Sequence, residues 1–350
     1  MKFVYEIGKN TPRQRAWLWA PLIPVGLTLF IGTGGLGKST VVCDLAARVT
    51  SGNPFPLTTT EQRAPAAALY IGREDDYSSV VLPRFEAAGG NPNLFVRGNT
   101  VEEDVGAHGL RRFITMHDTD ALDKVLEDLS GHGKPVRLLV FDPLSAFFGA
   151  GDWGRATVVR SVLDKLDGLA QSRELAIVIV THIAMYRSKS PVFAGQGSVD
   201  FRNMARSVVL FGVNPADKED HAICVVKSNW GRTGTCIGFR IRMKPWPAVG
   251  QVETIEWTGL SKLKEEDLLA AGRQSAVEKA EDFLLGYLAQ PRYTQQVIEE
   301  AKGNGIRYRT LVRARDNLRK SAEIAAFKKQ GKTFWVCVAE STQEKLPQSA

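Results

Sequence analysis

Apolar positions recur along this chain in two alternating periods. Val25–Ile31, Ala66–Gly72, Val136–Phe141 and Leu175–Val180 are continuous β-favouring runs, the pattern of strands buried on both faces. Between them, apolar residues return every three or four positions. Val41–Arg48 follows the first run, Leu82–Ala88 follows the second, and Asp118–Leu129 precedes the third with Leu122, Val125, Leu126 and Leu129 on one face. Before the fourth run lies the longest helical stripe: Val159, Val162, Leu163, Leu166, Leu169 and Ala170. Residues 91–118 have no dominant period. Four more strands then follow with short connections: Ser207–Val213, Ala222–Lys227, Gly238–Met243 and Val252–Trp257. Strands that first alternate with helices and then run consecutively predict an α/β domain, a mainly parallel central sheet with an antiparallel extension.

That domain is expected over residues 1–260. Residues 1–24, with Pro12, Trp17, Trp19, Pro21 and Pro24, read as an extended lead-in beside the nucleotide site. The charged stretch 261–275 reads as a linker. A small second domain is expected over 276–340, with helices at Ala276–Leu288, Thr294–Lys302 and Tyr308–Lys320. A tight turn, Gly303-Asn304-Gly305, separates the last two, and Ile324–Lys329 with Thr333–Val338 reads as a hairpin. Three helices and a hairpin predict a winged helix-turn-helix. Residues 341–350 are expected to be a disordered tail.

Candidate chemistry begins where the first strand ends. Gly32-Thr33-Gly34-Gly35-Leu36-Gly37-Lys38-Ser39-Thr40 matches the phosphate-loop pattern G-x-x-x-x-G-K-[ST], with an apolar strand before it and a helix after it. Glycines let consecutive N–H groups turn inward on phosphate oxygens, and the following helix adds the positive end of its dipole. Lys38 is expected on the β- and γ-phosphates of ATP and the Ser39 hydroxyl on Mg2+. This makes the first domain a RecA-like P-loop fold.

Hydrolysis needs further groups at the strand ends. Asp142 closes the apolar run Leu138-Leu139-Val140-Phe141, as a Walker B aspartate does, and is a second candidate for the metal. Glu74 closes the second strand and is the candidate general base for the attacking water. Asp75 and Asp76 beside it compete for that role, and Asp75 is a candidate at the metal. His182 closes the fourth strand as a candidate sensor of the γ-phosphate. For a transition-state cation two candidates stand open, Arg206 before the fifth strand and Lys227 at the end of the sixth. Glu74 and His182 argue against a small-molecule kinase, which needs an acceptor site and a lid.

Together with Phe141-Asp142-Pro143-Leu144, Thr181-His182, Gly195-Gln196-Gly197-Ser198 and Ala205-Arg206-Ser207, these motifs resemble, in order, the RepA-type RecA-like ATPases of plasmids and phages, relatives of the hexameric replicative helicases. The resemblance covers about residues 12–260. It implies an ATP-driven ring, a homo-hexamer with single-stranded DNA in its central channel. It also implies Glu74 as catalytic glutamate, His182 as γ-phosphate sensor and Arg206 as arginine finger. After the histidine this chain carries Ile183-Ala184-Met185-Tyr186, where relatives tend to carry a basic or polar run.

Charge adds a partner to this picture. The chain carries a net charge of +7, and residues 301–335 hold ten Lys/Arg against Asp316 and Glu323. Arg309, Arg313 and Lys320 fall on one side of the third C-terminal helix, opposite Leu311, Ala314 and Leu318, as on a recognition helix beside phosphates. Trp153 in the loop Gly149–Gly154, and Arg187 and Lys189 in the loop Arg187–Ser198, are candidates for single-stranded DNA. An ATP-switched DNA-binding regulator without unwinding activity is the alternative to a motor. Cys43, Cys224, Cys236 and Cys337 read as scattered thiols in a reducing cytoplasm. No run suggests a signal peptide, a membrane span or a membrane partner.

Overall fold

A computed structural model of the chain describes residues 14–58, 63–103, 110–148, 155–182, 198–247, 249–271, 276–288, 290–320, 324–329 and 331–337. The chain divides into two compact units, Met1–Gly272 and Arg273–Ala350.

The first unit opens with a short antiparallel pair, β1 (Trp17–Trp19) and β2 (Ile23–Pro24). The apolar run then becomes β3 (Gly26–Gly32), followed by α1 (Lys38–Ser51) and β4 (Ala67–Gly72). A π-helical turn, Tyr77–Val81, leads into α2 (Leu82–Ala87). The stretch without a dominant period contains β5 (Phe95–Arg97) and a hairpin of β6 (Thr100–Glu103) and β7 (Leu110–Phe113). Next come α3 (Thr119–Gly131), β8 (Val136–Asp142), α4 (Ala156–Arg173) and β9 (Ala176–His182). The unit ends with α5 (Ser198–Met204), β10 (Ser207–Asn214), β11 (Asp217–Ser228), β12 (Cys236–Trp246), β13 (Gly250–Leu260) and α6 (Glu265–Ala271).

These strands build a nine-stranded sheet in the order β13-β12-β11-β10-β3-β9-β8-β4-β5. It is parallel from β10 to β5 and antiparallel from β10 to β13. Strand alternation sends Leu27, Leu29 and Ile31 to one face and Phe30 to the other, so the sheet separates two apolar layers. The first layer packs the α3 and α4 stripes, including Leu122, Leu126, Leu163 and Leu166. The second packs Val41, Val42, Leu45 and Ala46 of α1. This is the mixed α/β, mostly parallel arrangement of a P-loop fold.

Three expectations change. The described part of the lead-in, residues 14–24, does not lie beside the phosphate loop: Trp17 lines a cavity with Val25 and Ala176, at the amino ends of β3 and β9. The stretch expected to be a linker holds α6, whose Leu268 is fully buried in the first layer. A side chain on Gly212 would place its Cβ 2.9 Å from Leu268 Cα, so β10 is cleared of bulk where α6 docks. Its shortness, seven residues opening on Glu265, Glu266 and Asp267, hid this helix among charges. Finally, Cys224 and Cys236 are register partners on β11 and β12, 4.1 Å apart at Cα, and form a disulfide, and Cys43 is a buried free thiol. Cysteine usage therefore does not by itself argue a reducing compartment.

The second unit contains α7 (Ala276–Tyr287), β14 (Arg292–Tyr293), α8 (Thr294–Gly303), α9 (Tyr308–Lys320), β15 (Ile324–Lys329) and β16 (Lys332–Cys337). Its strands form a sheet in the order β14-β16-β15, antiparallel throughout. Ala280, Leu284, Val297, Leu311, Ala314, Leu318 and Trp335 make its own core. Among the described residues no helix is long and apolar enough to cross a membrane.

Candidate active site

Parallel strands deliver their following loops to one edge of a sheet, and that edge is where α/β folds bind ligands. Gly32 and His182 are register partners across β3 and β9, and Gly72 and Asp142 across β4 and β8. Four adjacent strands thus present the phosphate loop, His182, Asp142 and Glu74 along one carboxyl edge. Gly34–Thr40, Glu74, Asp75, Arg84, His182, Ile241 and Glu253 line a single cavity there.

Gly37 opens α1 with φ of 73°, the left-handed region that glycine enters without a steric cost. A side chain there would also put Cβ 2.8 Å from Ile241 Cδ1, because β12 passes over the loop. Lys38 folds back into the loop, donating from Nζ to Gly32 O at 3.1 Å and to Thr33 O at 2.6 Å. Burial pulls its pKa down to about 8, against the opposing pull of Asp142 and Glu74.

The same Nζ lies 3.3 Å from His182 Nδ1, and His182 Nε2 lies 3.2 Å from Glu74 Oε2. An ammonium only donates, so Nδ1 accepts and the ring proton sits on Nε2, where it donates to the carboxylate. Lysine, imidazole and carboxylate form one continuous chain. Glu74 and His182 are both substantially exposed, so water can reach them.

Asp142 is almost wholly buried. Its Oδ2 accepts from Tyr70 Oη at 3.3 Å, while its Oδ1 has no hydrogen-bond partner among the described residues. Burial pushes its pKa up to about 6; the nearby Ser39 hydroxyl pulls it down, and Glu74 and Asp75 push it further up. Tyr70 reaches this carboxylate over Gly72, where a Cβ would lie 2.6 Å from the tyrosine Oη. A buried acceptor with no donor, beside the Ser39 hydroxyl, fits a hard cation with oxygen ligands. Ser39 and Asp142 are the residues that would hold Mg2+. Asp75 is engaged instead with Arg84, at 2.8 Å.

Sequence reading missed Arg84 and Glu253. Arg84 Nη2 lies 2.5 Å from Glu253 Oε2, which also accepts from Thr40 Oγ1 at 3.2 Å. Neither residue belongs to a motif. They meet only because β13 returns along α1, where Trp257 Nε1 also donates to Asp44 at 2.9 Å.

Arg206 and Lys227 are not at this cavity. Arg206 N donates to Leu27 O, and Lys227 Nζ reaches back to Ala205 O, so both cations lie toward the amino end of β3. Arg206 grips Asp167 with two hydrogen bonds of 2.9 and 2.6 Å and stacks on Trp230. Lys227 Nζ donates to Arg202 O, Asn203 O and Ala205 O, closing the end of α5. The β10–β11 antiparallel turn carries Lys227 back to that edge, a reversal that Cα spacing in the sequence does not reveal. Trp153, Arg187 and Lys189 lie outside the described residues. Arg309, Arg313 and Lys320 are exposed on α9, opposite buried Leu311, Ala314 and Leu318.

A family model described as AAA domain matches residues 3–185, more than half of the chain. The chain belongs to the AAA domain family. The matched AAA domain contains the phosphate loop, Glu74, Asp142 and His182. Its members are P-loop ATPases of RecA-like kind, so ATPase activity is supported for this chain and nucleotide with Mg2+ is implied. Arg206, Lys227 and Glu253 fall beyond the matched span. None of the curated proteins matches the chain.

Proposed function

We propose that this chain is an ATP-hydrolysing, nucleic-acid-dependent motor, a ring-forming DNA helicase of the replicative type. The observation that carries the hydrolytic part is the Lys38–His182–Glu74 chain. A carboxylate held by an imidazole at the end of a strand beside a phosphate loop is suited to taking a proton from water attacking the γ-phosphate. Lys38 spends its donors on loop carbonyls and on His182. Phosphate oxygens compete for those donors, so triphosphate binding releases Nδ1 of His182 and alters the hold on Glu74. The histidine then reports the γ-phosphate to the segment that follows β9. Bound Mg2+ supplies charge neutralisation between the phosphates.

Arg206 is proposed as the cation that a neighbouring subunit supplies in trans, within a homo-hexamer enclosing single-stranded DNA. Its distance from its own chain's phosphate loop agrees with a role outside that chain's pocket. Lys227 is the alternative; its ammonium donates to three carbonyls and Arg206 is paired with Asp167, so either cation would exchange partners to act in trans. The second unit is proposed to be a winged helix-turn-helix. Its order of helix, strand, two helices and two strands supports that reading, with α9 as recognition helix and β15–β16 as wing. A cytoplasmic setting goes with this function.

The exposed basic side of α9 also supports a second reading, an ATP-switched DNA-binding regulator. ATP turnover with and without single-stranded DNA tests the motor, which requires several-fold stimulation; a rate indifferent to DNA rejects it. Strand displacement on a forked duplex separates motor from switch, since a switch unwinds nothing.

A further inference from the structure

The cavity at the phosphate loop has two chemically different walls. On one, His182 and Glu74 are tied to Lys38, the wall suited to the γ-phosphate. On the other, Glu253 is tied to Thr40, two residues further into α1, and to Arg84. A carboxylate is a poor neighbour for phosphate oxygens, since like charges repel strongly in a partly buried site. Glu74 meets that objection as the proposed base for water; Glu253 is balanced by Arg84 and has no part in the chemical step, so its remaining oxygen is free to accept from a ligand group that donates hydrogen bonds.

Glu253 is prepared for such a group. Its Oε2 takes both protein donors, Thr40 Oγ1 at 3.2 Å and Arg84 Nη2 at 2.5 Å. Among the described residues its Oε1 has no hydrogen bond from the protein. Its side chain is 38% exposed, whereas that of Arg84 is only 17% exposed, so the arginine fixes the carboxylate while the carboxylate keeps an open side. Arg84 is itself anchored by Asp75 at 2.8 Å, so the partner that orients Glu253 is fixed from its other side. Preorganised acceptors of this kind give specificity, because a ligand lacking the donor leaves a desolvated carboxylate oxygen unpaired.

We infer that Glu253 reads the ribose of the nucleotide, accepting a hydrogen bond from a ribose hydroxyl through Oε1 and so selecting ribonucleotides over deoxyribonucleotides. Among the parts of a nucleoside triphosphate, the ribose hydroxyls are neutral donors one step removed from the phosphates. The inference rests on the proposed nucleotide site and adds to it the sugar that the site prefers. It assigns Glu253 a specificity role and no part in the chemical step.

The test is calorimetric titration of the full chain, with Mg2+, using ADP, 2′-deoxy-ADP and 3′-deoxy-ADP, none of which can be turned over. The wild-type chain is expected to bind ADP about tenfold more tightly than at least one deoxy form, the scale of a charge-assisted hydrogen bond. Glu253→Ala is expected to bind all three alike, with its loss concentrated on ADP. Should that variant fail to fold, Glu253→Gln keeps the shape and removes the charge, and is expected to reduce the preference to about threefold. Equal binding of ADP and both deoxy forms by wild type overturns the inference. So does an equal loss for all three in the variants, which would make Glu253 a prop for Arg84 and Thr40. If the wild-type chain binds no nucleotide at all, the nucleotide site itself is rejected and the sugar preference with it.

Discussion

His182 Nε2 stands 3.2 Å from Glu74 Oε2, joining the ends of two strands that are not neighbours in the sheet. β8 lies between β9 and β4, and its last residue is Asp142. The imidazole thus bridges over the buried aspartate, and proton chemistry and metal binding are stacked at one point of the edge.

The first prediction separates binding from chemistry at that point. Lys38→Ala and Glu74→Gln should both abolish measurable hydrolysis, the second by a factor of about 10²–10⁴. Only Lys38→Ala should lose ATP affinity. Equal loss of affinity in both would remove Glu74 from the role of base.

Asp142 allows a prediction of sign. Its pKa in the fold is raised to about 6, so the neutral form stabilises the fold. That contribution is fully present below pH 4 and is lost as pH rises through 6. Without nucleotide or Mg2+, Asp142→Asn should therefore be more stable than wild type at pH 7.5, by about 2–3 kcal/mol. The difference should shrink toward pH 4. Thermal melting across this range checks it, and a destabilised Asn variant at pH 7.5 would contradict it.

Arg206 can be tested by mixing inactive chains. A Lys38→Ala subunit lacks a working pocket but still carries Arg206, and an Arg206→Ala subunit has the reverse defect. If the arginine acts in trans, a mixture should recover turnover that neither variant shows alone. Arg206→Ala should also lower the melting temperature, because Asp167 loses both its hydrogen bonds. Lower stability with no recovery on mixing would leave Arg206 a purely structural clamp.

For the second unit, Arg309→Ala and Arg313→Ala should leave the fold unchanged, since both side chains are exposed. Each should weaken duplex DNA binding by full-length protein and reduce the slope of log affinity against log salt by about one. Unchanged affinity and slope would direct α9 to a protein partner.

The candidate site is legible in the sequence where its residues are close neighbours. A phosphate loop is nine consecutive residues, and Asp142 sits directly on its apolar strand, so both could be read from neighbours alone. Glu253 and Arg84 escaped because 169 residues separate them and only the return of β13 over α1 joins them. The β6–β7 hairpin escaped because Thr100–Glu103 and Leu110–Phe113 are short and largely polar. The side of the sheet on which Lys227 lies was not legible, because a strand end reads the same in either direction and β11 runs antiparallel. Cys224 and Cys236 looked scattered because their register, not their spacing, sets them face to face.

The burial of Leu268 bears on how the ATPase unit can be isolated. Ending the chain after Leu260, at what the charge pattern presents as a seam, would remove the plug over Gly212 and bare an apolar slot on β10. Such a fragment loses a buried leucine, on the order of 2–5 kcal/mol of stability, and gains a sticky surface. A boundary at Gly272 keeps α6 and so keeps the slot closed.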